Sequence, residues 1–254
     1  MFYPFIATLI LTLTGTALAA GLNDTGITDC YNDSAVVTTG VEADSGTHPR
    51  QDCRYGRDAA ARAGNLTKVG GGSKGFDFTK IANNGSVLPA SATLGSAPTD
   101  WACTKDNVTG LIWEVKTTSG LRSQSHTYTW YNSNAATNGG GAGTASGGTC
   151  ATTGRCDTEK FVADVNAAGL CGATDWRMPT TNELMSIVDY GIAYPGPTID
   201  TTWFPNTPAS YFWSASASSG YSNGAWSVYF YYGYAYGYGK GGYGVQVRLV
   251  RAGQ

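Results

Sequence analysis

The chain has 254 residues, enough to bury a sizeable core, and a formal net charge of −2 at neutral pH. Charged residues make up only 13% of it, while glycine alone contributes 35 residues. This composition excludes the basic surface of a nucleic-acid-binding protein and the high charge of a disordered chain. We therefore expect a loop-rich globular protein that binds no nucleic acid.

The first 19 residues are typical of a cleaved export signal. Residues 5–13 form an apolar run, and Ala17-Leu18-Ala19 supplies the small residues that signal peptidase accepts. The sequence predicts a signal peptide over residues 1–19 and a mature chain that begins at Ala20. Because no Lys or Arg precedes the apolar run, a retained membrane anchor is the alternative. No later run is long enough to span a membrane, so we expect an exported protein that is periplasmic, on the cell surface or secreted.

Residues 20–100 are rich in Gly, Asn and Thr, which predicts an extension of loops and short strands. Phe76-Asp77-Phe78-Thr79 alternates apolar and polar residues before the turn sequence Asn83-Asn84-Gly85, so we expect a hairpin there. The glycine run at residues 70–75 also matches a hydrolase G-x-S-x-G pattern and a dinucleotide-binding G-x-G-x-x-G pattern. Both patterns require a following helix, whereas the next residues alternate like a strand, so we regard both matches as accidental.

Two short helices are predicted in the second half of the chain. Asp157 can cap the first, over residues 157–168, whose apolar residues recur at helical spacing. Thr180-Thr181-Asn182-Glu183 forms a capping box that opens the second. The glycine-rich residues 139–148 precede both helices, and we expect them to form a loop without regular structure.

After the second helix the pattern changes to that of β-strands. In residues 226–232, Trp226, Val228 and Phe230 alternate with Ser and Tyr, so we expect their face of the strand to be buried and the other exposed.

The following residues continue this alternation. Gly233 allows a turn, the tyrosines of residues 234–238 alternate with Ala and Gly, and residues 245–249 alternate as a final strand. The sequence thus predicts a small antiparallel sheet with tyrosines along one exposed side.

The six cysteines contain no C-x-x-C pair of the zinc or thioredoxin type. An even number in an exported chain indicates disulfides. The helix predicted between Cys156 and Cys171 separates these two beyond the reach of a disulfide. Among the many pairings left open, we favour Cys30–Cys53, Cys150–Cys156 and Cys103–Cys171.

Tyrosines are concentrated near the C-terminus: nine of the 16 lie within residues 211–243, among Gly, Ser, Ala and Asn. Tyrosine gives rigid amphipathic contact area, and the smaller residues give adaptable polar contacts, as in antibody paratopes. A low-complexity segment without order is the alternative, but the alternation favours strands. Because residues two apart on a strand share a face, we predict one ligand-contacting patch, formed by Ser218, Ser219, Tyr221, Ser222, Asn223, Tyr229, Tyr231, Tyr234, Tyr236, Tyr238 and Tyr243.

We predict no catalytic residue, no metal and no cofactor. The two histidines, His48 and His126, lie beside no cluster of Cys, Asp or Glu, and the neighbouring Ser125 does not by itself make a nucleophile–base pair. The sequence contains no Asp-x-Asp-x-Asp-Gly calcium loop. It also lacks the Glu-Pro-Asn, Gln-Pro-Asp and Trp-Asn-Asp triplets with which calcium-dependent lectins hold sugars.

An ordered set of motifs carries a family resemblance, at residues 106–113, 171–172, 175–184, 212–216, 225–228 and 247–251. Together they resemble the exported bacterial domain found at the C-terminus of the Legionella collagen-like adhesin. The resemblance implies an α+β, C-type-lectin-like fold of the formylglycine-generating-enzyme type over residues 101–254, with a small antiparallel sheet, two short helices and long irregular loops. It also implies binding of proteins or polysaccharides without calcium, rather than catalysis.

One departure from the family pattern indicates how the tyrosines arose. Where other members are rich in Asn and Asp after the Ala225-Trp226 motif, this chain carries Tyr and Gly. Asn codons become Tyr, Ser, Gly, Asp or Ala codons when only their adenines change. Residues 211–243 therefore resemble the variable region of a target protein of a diversity-generating retroelement, whose ligand-binding residues are diversified by adenine-directed mutagenesis.

Several functions are compatible with this sequence. The leading one is a secreted or cell-surface protein whose Tyr/Ser/Gly-rich face binds a surface protein or polysaccharide, and a glycan-binding adhesin without diversification is the alternative. An enzyme of the formylglycine-generating type depends on cysteines that are better explained here as disulfides. An envelope component that self-associates through tyrosine-rich strands is the remaining candidate.

Overall fold

The computed structural model describes residues 23–32, 35–37 and 50–253. The predicted signal peptide, the expected mature start at Ala20 and His48 lie outside the described residues. Within the described ranges, no helix combines the length and the apolar character that a membrane span requires. Antiparallel sheets of five, three and two strands and a few short helices make up this part of the chain, which confirms the predicted α+β class.

The elements follow one another in the chain as short segments joined by long loops. They are β1 (Cys30–Tyr31), β2 (Val36–Val37), α1 (Asp52–Tyr55), α2 (Arg57–Arg62), β3 (Phe78–Ala82), β4 (Val87–Leu88), β5 (Trp101–Asp106), β6 (Leu111–Glu114), α3 (Thr158–Ala167), α4 (Thr181–Met185), β7 (Tyr211–Ala217), β8 (Gly224–Tyr229), β9 (Tyr234–Gly239) and β10 (Val250–Ala252).

The five-stranded sheet has the order β10-β6-β5-β3-β4. The hairpin predicted from the sequence is present, because Ile81 of β3 pairs with Val87 of β4 across the Asn-Asn-Gly turn. Strand β3 also pairs with β5, so the last part of the predicted extension belongs to the same sheet as the residues that follow it. Strand β10 pairs with β6, and the end of the chain therefore forms an edge of this sheet.

Both predicted helices are present, and their caps explain where they begin. The Asp157 carboxylate accepts a hydrogen bond from Lys160 N at 2.9 Å, as expected for an N-cap. At α4, Thr180 Oγ1 accepts from Glu183 N at 3.2 Å and the Glu183 carboxylate accepts from Thr180 N at 2.7 Å. These two bonds form the predicted capping box.

The three favoured disulfides are also present: Cys30–Cys53, Cys103–Cys171 and Cys150–Cys156, with Cα–Cα distances of 5.4, 6.5 and 5.4 Å. No cysteine remains as a free thiol, and all six are among the described residues.

The three-stranded sheet has the order β7-β8-β9 and contacts a different hydrophobic core on each face. Trp213 of β7 packs into one core together with Phe161 of α3. The adjacent Phe212 packs into the other core with Leu184 of α4. Because successive strand residues point to opposite faces, β7 joins the two cores directly.

Strand β8 is shorter than predicted. It ends at Tyr229, because Tyr232 N and Gly233 N both donate to Tyr229 O, at 3.2 and 2.7 Å, and turn the chain. Gly233 has a φ of 82°, a conformation that glycine adopts readily. The predicted strand over residues 226–232 is therefore a shorter strand followed by a turn.

The final strand was predicted in the wrong place. Within residues 245–249, Val245 and Gln246 form only isolated bridges, and the regular strand begins at Val250. Arg248 is fully buried, and its guanidinium donates to Glu114 O at 2.7 Å and to Thr207 Oγ1 at 2.6 Å, which offsets part of the cost of burying its charge. Isolated backbone bonds to several neighbours, together with packing and side-chain hydrogen bonds, thus take the place of a regular strand.

Candidate ligand-binding surface

The register of the three-stranded sheet places three tyrosines in one row. Tyr211 of β7 lies opposite Tyr229 of β8, and Tyr229 lies opposite Tyr234 of β9. Directly opposed residues share a face of the sheet, so these side chains lie beside one another. The rings of Tyr211 and Tyr229 stack with their centroids 3.9 Å apart and their planes 8° apart.

Small buried residues support the tyrosines of β9. Tyr236 lies opposite Ser227, and Tyr238 lies opposite Ala225. Ser227 Oγ donates to Tyr236 O at 2.8 Å, so the serine is used within the sheet. With little side chain opposite them, both rings reach across to Tyr211, at centroid distances of 5.8 and 5.2 Å.

Ring contacts extend these rows into one continuous cluster, which we call the tyrosine face. Within it, the stacked pairs include Tyr229 with Tyr231 and Tyr232 with Tyr234, and Tyr243 contacts Tyr238 edge to face at 5.1 Å. The tyrosine face consists of Tyr194, Tyr211, Tyr229, Tyr231, Tyr232, Tyr234, Tyr236, Tyr238 and Tyr243.

Three members of the tyrosine face were not among the predicted ligand-contacting residues: Tyr194, Tyr211 and Tyr232. Tyr194 comes from the loop before β7, and it stacks on Tyr232 with a centroid distance of 5.4 Å. This loop is held against the sheet because Thr198 N donates to Phe230 O at 2.7 Å. No sequence pattern pointed to Tyr194, but Tyr211 and Tyr232 lie inside the tyrosine-rich segment and composition alone could have included them.

The other predicted residues, 218–223, form the loop between β7 and β8. Within the described chain, Tyr221 makes no ring contact with the tyrosine face. Its ring packs against Gly224 instead, so closely that a Cβ atom on Gly224 would lie 2.5 Å from Tyr221 Cδ1. Gly224, which follows this loop, pairs with Gly239 of β9. A Cβ atom on Gly239 would lie 4.0 Å from the Tyr243 ring. The loop therefore borders the tyrosine face at the end that carries Tyr243. The structure therefore groups six predicted tyrosines and places Ser218, Ser219, Tyr221, Ser222 and Asn223 beside them.

Lys240, directly after β9, connects this loop to a second one. Its buried Nζ donates to Asn138 O at 2.6 Å, to Gly141 O at 3.0 Å and to Ser222 O at 2.9 Å. The ammonium also lies 4.2 Å from the ring centroid of Trp130, a cation–π contact. Burial lowers the pKa of Lys240. This side chain thus holds the 218–223 loop and part of the predicted glycine-rich loop in place.

The tyrosine face carries no formal charge. Between residues 201 and 246 the sequence contains a single charged residue, the buried Lys240. Burial and the neighbouring tyrosines raise the pKa of Tyr211 to about 12, so its phenol is neutral at physiological pH. The face can therefore offer apolar ring area and neutral hydroxyl groups to a partner, but no ion pair.

The prediction that Trp226 is buried together with Val228 and Phe230 is wrong. Val228 and Phe230 are fully buried, whereas Trp226 is 39% exposed. It lies on the face opposite the tyrosines, and its partner on β9 is Gly237, which has no side chain to cover the indole ring. The alternating pattern identified the correct face, but the coverage of that face depends on residues on the neighbouring strand.

Ser125 and His126 have separate structural contacts. Ser125 Oγ forms a hydrogen bond with Ser123 Oγ at 2.9 Å, and His126 Nδ1 lies 3.3 Å from Leu121 O. The two side chains are therefore engaged with different partners.

Comparisons with known proteins identify one family. The model of a family described as the Lcl C-terminal domain matches residues 102–251, a span that includes the whole tyrosine face. No match was found among curated proteins or among solved structures.

Proposed function

Because this chain belongs to the family of the Lcl C-terminal domain, we propose that it is an exported, adhesin-like protein that binds its ligand through the tyrosine face. The observation that carries this proposal is the continuous cluster of nine tyrosines on one side of the β7-β8-β9 sheet. Tyr232, Tyr234, Tyr236 and Tyr243 are exposed members of it. Contiguous exposed aromatic area on a protein surface marks an interaction site.

The arrangement of the rings favours a protein as the ligand. Sugar rings bind by lying flat on an open aromatic face, but many of these faces are occupied by neighbouring tyrosines. Tyr211 stacks on Tyr229 with planes 8° apart, and Tyr232 stacks on Tyr234 with planes 12° apart. Ring edges and hydroxyl groups are then left for contact, which suits the mixed apolar and hydrogen-bonding surface of a protein. A polysaccharide is the second candidate ligand.

We further propose that residues 211–243 are diversified. Support comes from the separation between exposed and buried positions in β8 and β9. The buried Ser227 and Val228 maintain the sheet, whereas Tyr234 and Tyr236 project from it and can be replaced without opening a core. The test is the flanking DNA: a near-copy of this segment that differs only at adenines, next to a reverse transcriptase gene, is expected.

We propose that the protein is not an enzyme of the formylglycine-generating type. That chemistry requires reactive cysteines, and pairing of all six in disulfides supports the binding function instead. Titration with a thiol reagent under native, oxidising conditions should detect no thiol. Two or more reactive thiols would favour the enzyme.

The binding proposal is tested by screening the mature protein against arrays of surface proteins and glycans in the presence of a chelator. A triple variant, Tyr231→Ala/Tyr236→Ala/Tyr238→Ala, should lose at least about 30-fold in affinity, since a central aromatic contact is worth about 2 kcal/mol or more. The matched control is Tyr31→Ala/Tyr55→Ala, which removes two exposed tyrosines outside the family match. Because the tyrosine face is uncharged, added salt should change the affinity little.

A ligand that the triple variant binds as tightly as the wild type would place the site elsewhere. If the control variant lost affinity for the ligand to the same extent, the binding would depend on exposed tyrosines in general and not on the tyrosine face.

A further inference from the structure

The first part of the N-terminal extension, up to the end of α2, is held together around very little apolar material. Its buried apolar cluster consists of Cys30 and Cys53, which are joined by a disulfide. Regions too small to build a hydrophobic core usually depend on disulfides or metal ions. Beside this disulfide, the fold brings together the carboxylates of Asp24, Asp52 and Asp58, each with an oxygen within 4.8 Å of the others.

Two of these carboxylates are deeply buried and incompletely hydrogen-bonded. Asp24 is 7% exposed and Asp58 is 1% exposed. Oδ1 of Asp24 accepts from Thr25 N at 2.8 Å, and Oδ1 of Asp58 accepts from Gly75 N at 2.7 Å. Oδ2 of each residue is buried and has no hydrogen-bond partner in the described chain. A buried carboxylate oxygen without a partner is costly, so these two atoms need either a proton shared between the carboxyl groups or a bound cation.

Nearby basic side chains are engaged with other groups. Lys74 Nζ forms an ion pair with Asp189 at 2.8 Å, and Arg57 Nε donates to Gly75 O at 2.9 Å. The third carboxylate, Asp52, accepts a hydrogen bond from Thr25 Oγ1. The carboxylate cluster therefore combines several negative oxygens with no basic group directed into it among these neighbours.

We propose that Asp24, Asp52 and Asp58 bind one Ca²⁺ ion. Carboxylate and hydroxyl oxygens select a hard cation, and Ca²⁺ tolerates the irregular arrangement that the Asp24 segment and the adjoining helices α1 and α2 provide, with water completing its shell. The sequence pattern of a calcium loop was absent because Asp24 lies 28 residues before Asp52, so these ligands do not come from one loop.

The ion connects the extension to the family domain. The segment that carries Asp24 is docked there, because Asn23 Nδ2 donates to Asp106 Oδ2 at 2.6 Å and Tyr190 N donates to Thr25 O at 2.8 Å. Asp52 and Asp58 belong to α1 and α2. Ca²⁺ between them fixes these two helices against the docked segment, next to the Cys30–Cys53 disulfide.

The test uses the full mature protein, stripped of metal with a chelator and then transferred to chelator-free buffer. Calorimetric titration with CaCl₂ should show one ion per chain, with a Kd of about 0.1–1 mM as in other extracellular calcium sites. Saturating CaCl₂ should raise the melting temperature by roughly 5 °C or more. Asp58→Asn, which is nearly isosteric, should abolish both effects. Asp29→Asn, at an exposed aspartate of the same extension, should retain both.

A second measurement guards against simple misfolding of the variant. In chelator, Asp58→Asn should melt no lower than the wild type, because it removes one of three mutually repelling carboxylates. Absence of binding and of stabilisation in the wild type, at CaCl₂ well above about 1 mM, would overturn the proposal. So would a calcium response that survives in Asp58→Asn, or an equal response to MgCl₂. None of these outcomes alters the binding proposal for the tyrosine face.

Discussion

Two tryptophans of the three-stranded sheet, Trp213 and Trp226, differ in how deeply they are buried. Trp213 is fully buried and its indole N–H donates to Tyr128 O at 2.9 Å. Trp226, on the neighbouring strand β8, is 39% exposed. The same substitution at these two positions therefore has different consequences.

We expect Trp213→Ala to lower the free energy of unfolding by about 3–5 kcal/mol, the usual cost of truncating a buried aromatic residue. Trp226→Ala should cost clearly less, because much of its ring remains in water in the native state. Urea denaturation of both variants measures the difference. Equal losses would mean that Trp226 is covered in solution.

Residues also show the limit of sequence-based prediction. Asp157 and the Thr180–Glu183 capping box were predictable because caps depend on neighbours a few residues away. The exposure of Trp226 depends on Gly237 across the sheet, and the burial of Arg248 depends on Glu114 and Thr207. These partners are distant in the sequence, so no local pattern could reveal them.

At the scale of elements, the loop beside the tyrosine face depends on one buried cation. Lys240 donates to carbonyl oxygens of two loops, at Asn138, Gly141 and Ser222. Lys240→Met keeps a similar apolar stem but leaves these carbonyls without their donor.

We expect Lys240→Met to destabilise the protein by about 1–3 kcal/mol. Hydrogen exchange should become faster in residues 138–141 and 218–223, while α3 remains protected. Lys105→Met, at a half-buried lysine on the other sheet, serves as the control and should leave both loops unchanged. Unchanged exchange in Lys240→Met would show that the two loops are held by other contacts.

The elements of the site were partly predictable. Composition located the tyrosine-rich segment, and the alternating pattern predicted a shared surface for its tyrosines. Six of the predicted tyrosines do lie together in the tyrosine face. The contribution of Tyr194 was not predictable, because it enters from a separate loop that Thr198 holds against Phe230. Whether the tyrosine face and the 218–223 loop contact one ligand stays a prediction until binding is measured.

At the scale of the whole molecule, each of the three disulfides holds at least one segment that has little regular secondary structure of its own. Cys103–Cys171 joins β5 to the loop after α3, and Cys150–Cys156 closes the loop before it. We expect the intact mass of the native, oxidised protein to increase by six hydrogens on reduction and to correspond to a chain that starts near Ala20. Mass spectrometry before and after reduction and alkylation checks both. A smaller gain in mass would leave a free pair, and a longer chain would favour the retained anchor.

The pairing of β10 with β6 gives the end of the chain a role in quality control. Val247, Leu249 and Arg248 are buried, and Val250 pairs with Trp113, so the fold is complete only when the last residues have been made. A stop codon or frameshift anywhere in residues 211–243 removes this closing segment along with the altered surface. Such a chain exposes both cores and becomes a substrate for proteolysis rather than a defective binder. We therefore expect mutation of the proposed variable segment to be filtered by folding, because only products translated in frame through β10 can complete both cores.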